Sequence, residues 1–185
     1  MIKYVPEMTS VVMEEIPDRV TLAVDISNCA GNCVGCHSPF LKEDIGEELT
    51  PEVISSLVAD NFGVDCFLFL GEGRDRVRME ELAAHVRSLG LSPALYSGRT
   101  EVDGSFWEIF DYIKVGPYLP ERGPLNDPRT NQRLYRVLGP DEKAPEGAEF
   151  RLRASGRRFV DITPRFWRRG IDPLRADSSL DSSLR

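Results

Sequence analysis

No stretch of this chain approaches the roughly 20 consecutive apolar residues that a membrane-spanning helix needs. Its first residues, Met1-Ile2-Lys3-Tyr4-Val5-Pro6-Glu7, carry no signal-peptide apolar core. A cytosolic protein without membrane attachment is the expectation. Positive charge is also short: 23 Lys and Arg stand against 30 Asp and Glu, a formal net charge of -7. That balance argues against a general nucleic-acid binder, whose phosphate contacts need clustered cations. Histidine is scarcer still, with two residues. His85 falls alone within a helical pattern, so the second Cys/His knuckle of a common zinc module is missing. Cysteine is limited to four, and in a cytosolic chain clustered cysteines bind metal more often than they pair as disulfides.

What is present divides into readable elements. A length of 185 residues suits one domain with its own core. We expect that domain to span 1–169, with the Ser- and Asp-rich stretch 170–185 as a disordered tail. Residues 11–16, a Pro17-Asp18 turn and a strand from Val20 predict an N-terminal hairpin. Thr50-Pro51 predicts a capped helix start, and Val53, Ile54, Leu57 and Val58 then share one helical face. The apolar run 65–70 predicts a strand covered on both faces, with Cys66 as a core thiol. Met79, Leu82, Ala83, Val86 and Leu89 predict a second helix, stopped by Gly90. Strands at 93–96 and 112–115 flank a short helix at 106–110. That alternation is the signature of an α/β fold with a parallel sheet. Residues 119–131 read as a long surface loop, and 133–138 is expected to pair with 159–162 as a C-terminal β-hairpin. The seven arginines between Arg151 and Arg169 read as a solvated surface.

Each predicted parallel strand runs into a polar or glycine-containing loop. These are the cysteine loop, Gly71-Glu72-Gly73, Ser97-Gly98-Arg99, and Lys114 with Gly116-Pro117. Parallel strands place such loops on one rim, where α/β folds build their sites. The first loop holds Cys29, Cys33 and Cys36, three cysteines inside eight residues, with Gly31 and Gly35 between them. Thiolates in the spacing C-x3-C-x2-C suit zinc, Cu(I) or an iron–sulfur cluster. A zinc site would need a fourth ligand, for which His37 or Asp25 stands nearby. An iron–sulfur cubane held by three thiolates would keep one iron open to a substrate.

The cysteine motif after the first buried strand resembles that of the radical S-adenosylmethionine (SAM) superfamily. Within it, four stretches are similar to the activating proteins of anaerobic (class III) ribonucleoside-triphosphate reductase, over roughly residues 14–167. They are Cys33-Val34-Gly35-Cys36-His37-Ser38-Pro39, Tyr96-Ser97-Gly98-Arg99, Tyr112-Ile113-Lys114-Val115-Gly116-Pro117-Tyr118 and Thr130-Asn131-Gln132-Arg133-Leu134. The resemblance implies an incomplete TIM-like β/α barrel. It implies a [4Fe–4S] cluster on Cys29, Cys33 and Cys36, with SAM chelated at the fourth iron and an electron delivered by a flavodoxin- or ferredoxin-like donor. Reductive cleavage would then give methionine and a 5′-deoxyadenosyl radical, which takes a Cα hydrogen from one glycine of the reductase. No catalytic side chain is implied beyond the cluster ligands.

Gly35, Cys36 and His37 match the family segment beside adenine. Gly71 and Glu72 fall where the superfamily carries Gly-Gly-Glu against the SAM amino group, although the order here is Gly-Glu-Gly. Ser97, Arg99 and Lys114 would reach the ribose or carboxylate. Asn131, Gln132 and Arg133 match a segment that would orient SAM or dock the reductase. Two rivals share the same residues: another radical SAM enzyme, of the pyruvate formate-lyase activating type or acting on a small molecule, and a non-catalytic zinc-binding module.

Overall fold

The computed structural model describes residues 1–31, 33–36, 38–146, 148, 150–153 and 155–167. The expectation of a disordered tail at 170–185 lies outside these residues, as does His37. The first buried run becomes a strand because successive apolar side chains cover both of its faces. In chain order the strands and α-helices are β1 (Lys3–Tyr4), β2 (Ser10–Val12), β3 (Thr21–Asp25), β4 (Glu47–Glu48), α1 (Pro51–Asp60), β5 (Cys66–Leu70), α2 (Arg76–Ser88), β6 (Ser92–Tyr96), α3 (Phe106–Ile109), β7 (Tyr112–Val115), β8 (Arg133–Val137), β9 (Phe150–Leu152), β10 (Arg158–Asp161) and α4 (Pro164–Trp167).

Local chemistry sets the helix ends. Thr50 caps α1, its hydroxyl accepting from the Val53 N–H at 3.3 Å, and Pro51 takes the first turn where no donor is needed. Asp75 caps α2 by accepting from the Arg78 N–H at 3.1 Å. Past the end of α2 the chain turns at Gly90, whose N–H closes onto the Arg87 carbonyl.

The fold is mixed α/β. An eight-stranded sheet runs in the order β2-β3-β5-β6-β7-β8-β10-β9, and β1 pairs with β4 in a separate antiparallel ribbon. Strands β3, β5, β6 and β7 are mutually parallel. The end strands β2 and β9 do not pair with each other. Pro93 sits one residue into β6, near the strand start, where its missing donor is tolerated.

The pleat sends alternate side chains to opposite faces. On one face Leu22, Val24, Phe67, Phe69, Leu95 and Ile113 pack against Ile54 of α1, Met79, Leu82 and Val86 of α2, and Phe106 and Trp107 of α3. On the other, Ala23, Cys66, Leu68, Ala94 and Tyr112 meet Ile16, Leu125 and Phe166. Register aligns this second face in rows. Asp25, Leu70, Tyr96 and Lys114 pair successively across the C-terminal ends of the parallel strands, and Ala23, Leu68, Ala94 and Tyr112 form the row beneath.

The N-terminal hairpin forms with Val11 opposite Leu22, but its first strand is three residues long and not six, because the chain turns away before the buried Ile16. The C-terminal hairpin pairs Phe159 with Val137 and gains an unforeseen outer strand, β9. The reading of a solvated arginine surface is corrected for several side chains. Arg153 lies 4.1 Å from the centre of the Trp107 ring and Arg151 4.6 Å from that of Tyr135, and both pair with Glu101 at 2.9 Å. Long guanidinium side chains cover apolar rings while their charged ends find carboxylates. No helix among the described residues is long and apolar enough to cross a membrane.

Candidate functional site

The cysteine loop starts where β3 ends, and backbone hydrogen bonds fix it on both sides. Ile26 N–H donates to the Leu70 carbonyl, Ser27 N–H to Lys3, Asn28 N–H to Glu43 and Cys29 N–H to Leu41, at 2.9 to 3.0 Å. The Ser27 hydroxyl donates to the Ile45 carbonyl at 2.6 Å. The β1–β4 ribbon and the segment before it therefore brace the loop against the sheet. Cys29, Cys33 and Cys36 are free thiols and partly exposed, whereas Cys66 is free and buried in the sheet. Burial pushes the Cys66 thiol up to about 12, which leaves it inert at neutral pH. Its expected role as a core residue holds.

The three loop cysteines open onto a cavity of about 430 Å³. Its floor is the row Asp25, Leu70, Tyr96 and Lys114, and Gly71, Ser97, Gly98 and Gln132 line it from the neighbouring strand ends. Of the predicted site residues, Cys29, Cys33, Cys36, Gly71, Ser97 and Lys114 are thus brought together on one wall-and-floor surface. Glu72 and Arg99 line an adjoining nook of about 20 Å³ beside Cys29 and Gly98. Gly35 stands apart from the cavity lining, its backbone at a φ of 73° and its α-carbon turned toward Pro120 and Tyr118.

Hydrogen bonds and charge organise the rim. The Ser97 hydroxyl donates to Glu72 Oε1 and accepts from the Arg99 N–H at 3.0 Å, while Arg99 Nε lies 3.7 Å from Glu72 Oε2. Lys114 is 8% exposed. Its Nζ donates to the Gly116 carbonyl at 3.1 Å and lies 5.7 Å from the centre of the Tyr96 ring. Burial pulls this ammonium down from 10.5 to about 8, against the charges of Cys33 and Glu15. Burial, then the charge of Glu15, raises the Asp25 carboxyl above its usual range. The Tyr96 hydroxyl donates to the Glu15 carbonyl and is raised well above its usual range, chiefly by burial.

Glycine supplies clearance around the sulfurs. A Cβ at Gly98 would lie 2.8 Å from Cys33 Sγ, and one at Gly31 would lie 3.2 Å from Cys29 Sγ. The Gly31 N–H points at Cys29 Sγ, 3.3 Å away. Among the described residues no three His, Cys, Asp or Glu side chains converge tightly enough to grip one metal ion. The donor set, three half-exposed thiols on one loop beside backbone that leaves space at two of the sulfurs, fits a soft-metal cluster.

The Asn131-Gln132-Arg133 segment divides by role. Asn131 Nδ2 donates to the Pro117 carbonyl at 2.9 Å, and Arg133 bonds the carbonyls of Thr130 and Gln132 while facing Asp161 at 3.5 Å. Gln132 alone lines the cavity, its Nε2 3.4 Å from the same Gly116 carbonyl that Lys114 uses. Sequence reasoning did not place Tyr96, Glu15 or Leu125 in the site. Strand parity signals Tyr96, which ends its strand on the same face as Lys114. Glu15 and Leu125 arrive from loops that no periodicity reaches. Comparisons with protein-family models, with curated proteins and with solved structures find no match to this chain.

Proposed function

We propose that this chain is a radical SAM activase: Cys29, Cys33 and Cys36 hold a [4Fe–4S] cluster, and the cavity beside them takes SAM. The protein target in this reading is anaerobic ribonucleoside-triphosphate reductase, the electron donor a flavodoxin- or ferredoxin-like protein, and the setting cytosolic. The observation that carries the reading is the meeting of three half-exposed thiols with one cavity at the C-terminal ends of four parallel strands. The sequential parallel order of β3, β5, β6 and β7, with α1, α2 and α3 on one face, supports reading the sheet as an incomplete TIM-like β/α barrel.

When bound, cluster and SAM together supply one-electron cleavage of the sulfonium and hence removal of a glycine hydrogen. The residues of the chain bind and orient. Gly71 and Ser97 would meet the amino and ribose groups from the cavity wall, with Glu72 and Arg99 in the nook behind them. Lys114 offers a buried cation to a carboxylate. The adenine contact that the resemblance assigns to Gly35, Cys36 and His37 rests here on Cys36 alone, since Cys36 lines the cavity and Gly35 does not. Leu70 and Leu125 line the cavity with apolar surface that limits water.

The test is anoxic isolation followed by iron and sulfide analysis and an assay for reductive SAM cleavage. About four irons per chain are expected, with Cys29→Ala, Cys33→Ala and Cys36→Ala each losing both cluster and cleavage, and Cys66→Ala keeping both. Zinc in place of iron under strict anoxia sinks the reading. Incubation with the reductase and SAM should give a glycyl doublet by electron paramagnetic resonance. A silent spectrum despite SAM cleavage moves the target to another substrate.

A further inference from the structure

Glu72 does not point into the main cavity. Its carboxylate takes the Ser97 hydroxyl on one oxygen and faces Arg99 on the other. Ser97 is 1% exposed, and three interactions converge on it: its N–H donates to the Lys114 carbonyl at 2.8 Å, and its hydroxyl serves both Glu72 and the Arg99 N–H. The Arg99 carbonyl in turn accepts from the Gly116 N–H. The Ser97-Gly98-Arg99 turn is therefore held on both sides, and Gly98 is the residue at its centre. A Cβ at Gly98 would stand 2.8 Å from Cys33 Sγ, closer than side-chain carbons come to sulfur, and among the described residues this is the one contact within 4 Å that such a carbon would make. Gly98 is not among the positive-φ glycines, so no left-handed backbone bars alanine there, and a methyl group would act by displacing the Cys33 sulfur.

We infer that Gly98 is a positioning residue for Cys33, and that Glu72 holds it in place through Ser97. Its missing side chain is the space in which the Cys33 sulfur sits, so the loop after β6 sets where one of the three thiolates meets the cluster. Glu72 then acts as an anchor for this loop, through a hydrogen bond that a neutral amide can also accept. The inference rests on the reading that Cys29, Cys33 and Cys36 hold an iron–sulfur cluster. Groups that orient a metal ligand without touching the metal commonly change retention 10- to 100-fold when altered.

The experiment reconstitutes wild type, Gly98→Ala, Glu72→Gln and Glu72→Ala anoxically. It measures iron and sulfide per chain, loss of cluster to a chelator, and the spectrum of the reduced cluster by electron paramagnetic resonance, with thermal unfolding of the cluster-free proteins as the fold control. Gly98→Ala should lose cluster to the chelator about 10-fold faster, with a shifted reduced spectrum and an unchanged unfolding midpoint. Glu72→Ala should show the same change in milder form, and Glu72→Gln should restore wild-type behaviour, because its amide oxygen still accepts from Ser97. Should Gly98→Ala fail to fold, Ser97→Ala, which removes the shared hydroxyl, takes its place with the same expectation. A Gly98→Ala protein that keeps its cluster as tightly as wild type, with the same spectrum, overturns the inference. Glu72→Gln behaving like Glu72→Ala overturns the anchor role. A wild type that takes up no iron sinks the functional reading instead, so the two failures are told apart.

Discussion

Lys114 places a cation where burial opposes it. Its folded value of about 8 lies below the 10.5 of an exposed lysine, so between those two values the unfolded chain holds a proton that the folded chain has released. Stability therefore rises with pH through that window, with a limiting slope of about 1.4 kcal/mol per pH unit. Below it both states are protonated and the folded state bears the whole desolvation penalty. Lys114→Met should raise stability at pH 7 by about 1–3 kcal/mol and flatten the rise above pH 8, measured by urea unfolding across pH. On the proposed reading the same variant should also bind SAM more weakly than wild type. A variant no more stable than wild type at pH 7 would show that the Gly116 carbonyl and the Tyr96 ring already offset the burial.

The β1–β4 ribbon is a small element with a large positional effect. It has two residues per strand, yet it connects to the end of β3 through Val5 N–H to the Asp25 carbonyl, the Ser27 N–H to Lys3, and the Tyr4–Ile26 bridge. Gly46 leads into β4 at a φ of 80°, and a Cβ there would lie 2.0 Å from the Tyr4 carbonyl oxygen. Neither the dihedral nor the space admits a side chain. Gly46→Ala should cost about 2–4 kcal/mol by denaturant unfolding and, on the proposed reading, should lower iron uptake, because the ribbon frames the cysteine loop. Unchanged stability would mean that the ribbon can separate without disturbing the sheet. Such a short pairing has no periodicity to reveal it in the sequence; it exists because Leu49 and Ile2 are both buried and their backbones meet.

Across the whole molecule, protection from solvent is graded along the sheet. β5 and β6 are covered on both faces and flanked on both edges, whereas β9 closes one end with Phe150 57% and Leu152 65% exposed. Native-state hydrogen exchange should find the slowest amides in β5 and β6 and exchange of β9 faster by orders of magnitude. Equal protection of β9 and β5 would mean that the sheet opens as one unit. The cysteine loop lies beside the slow centre, anchored by the Ile26 to Leu70 bond, a placement that would suit the cluster site proposed above.

The elements β1, β4, β9 and α4 were not legible in the amino-acid sequence, whereas the alternation of β3, α1, β5, α2, β6, α3 and β7, the caps at Thr50 and Gly90, the buried character of Cys66 and the clustering of three thiols were. Each rests on interactions between residues close in the chain, or on a period that local burial imposes. Tertiary structure alone decided that Asp25, Tyr96, Lys114 and Gln132 share one cavity, that Glu72 is bonded to Ser97, and that Gly98 makes room for Cys33. Those facts depend on the register between strands and on loops meeting across the rim, where residues 25 to over 60 positions apart become neighbours. No local pattern carries that information, because register is set by the summed packing of both sheet faces.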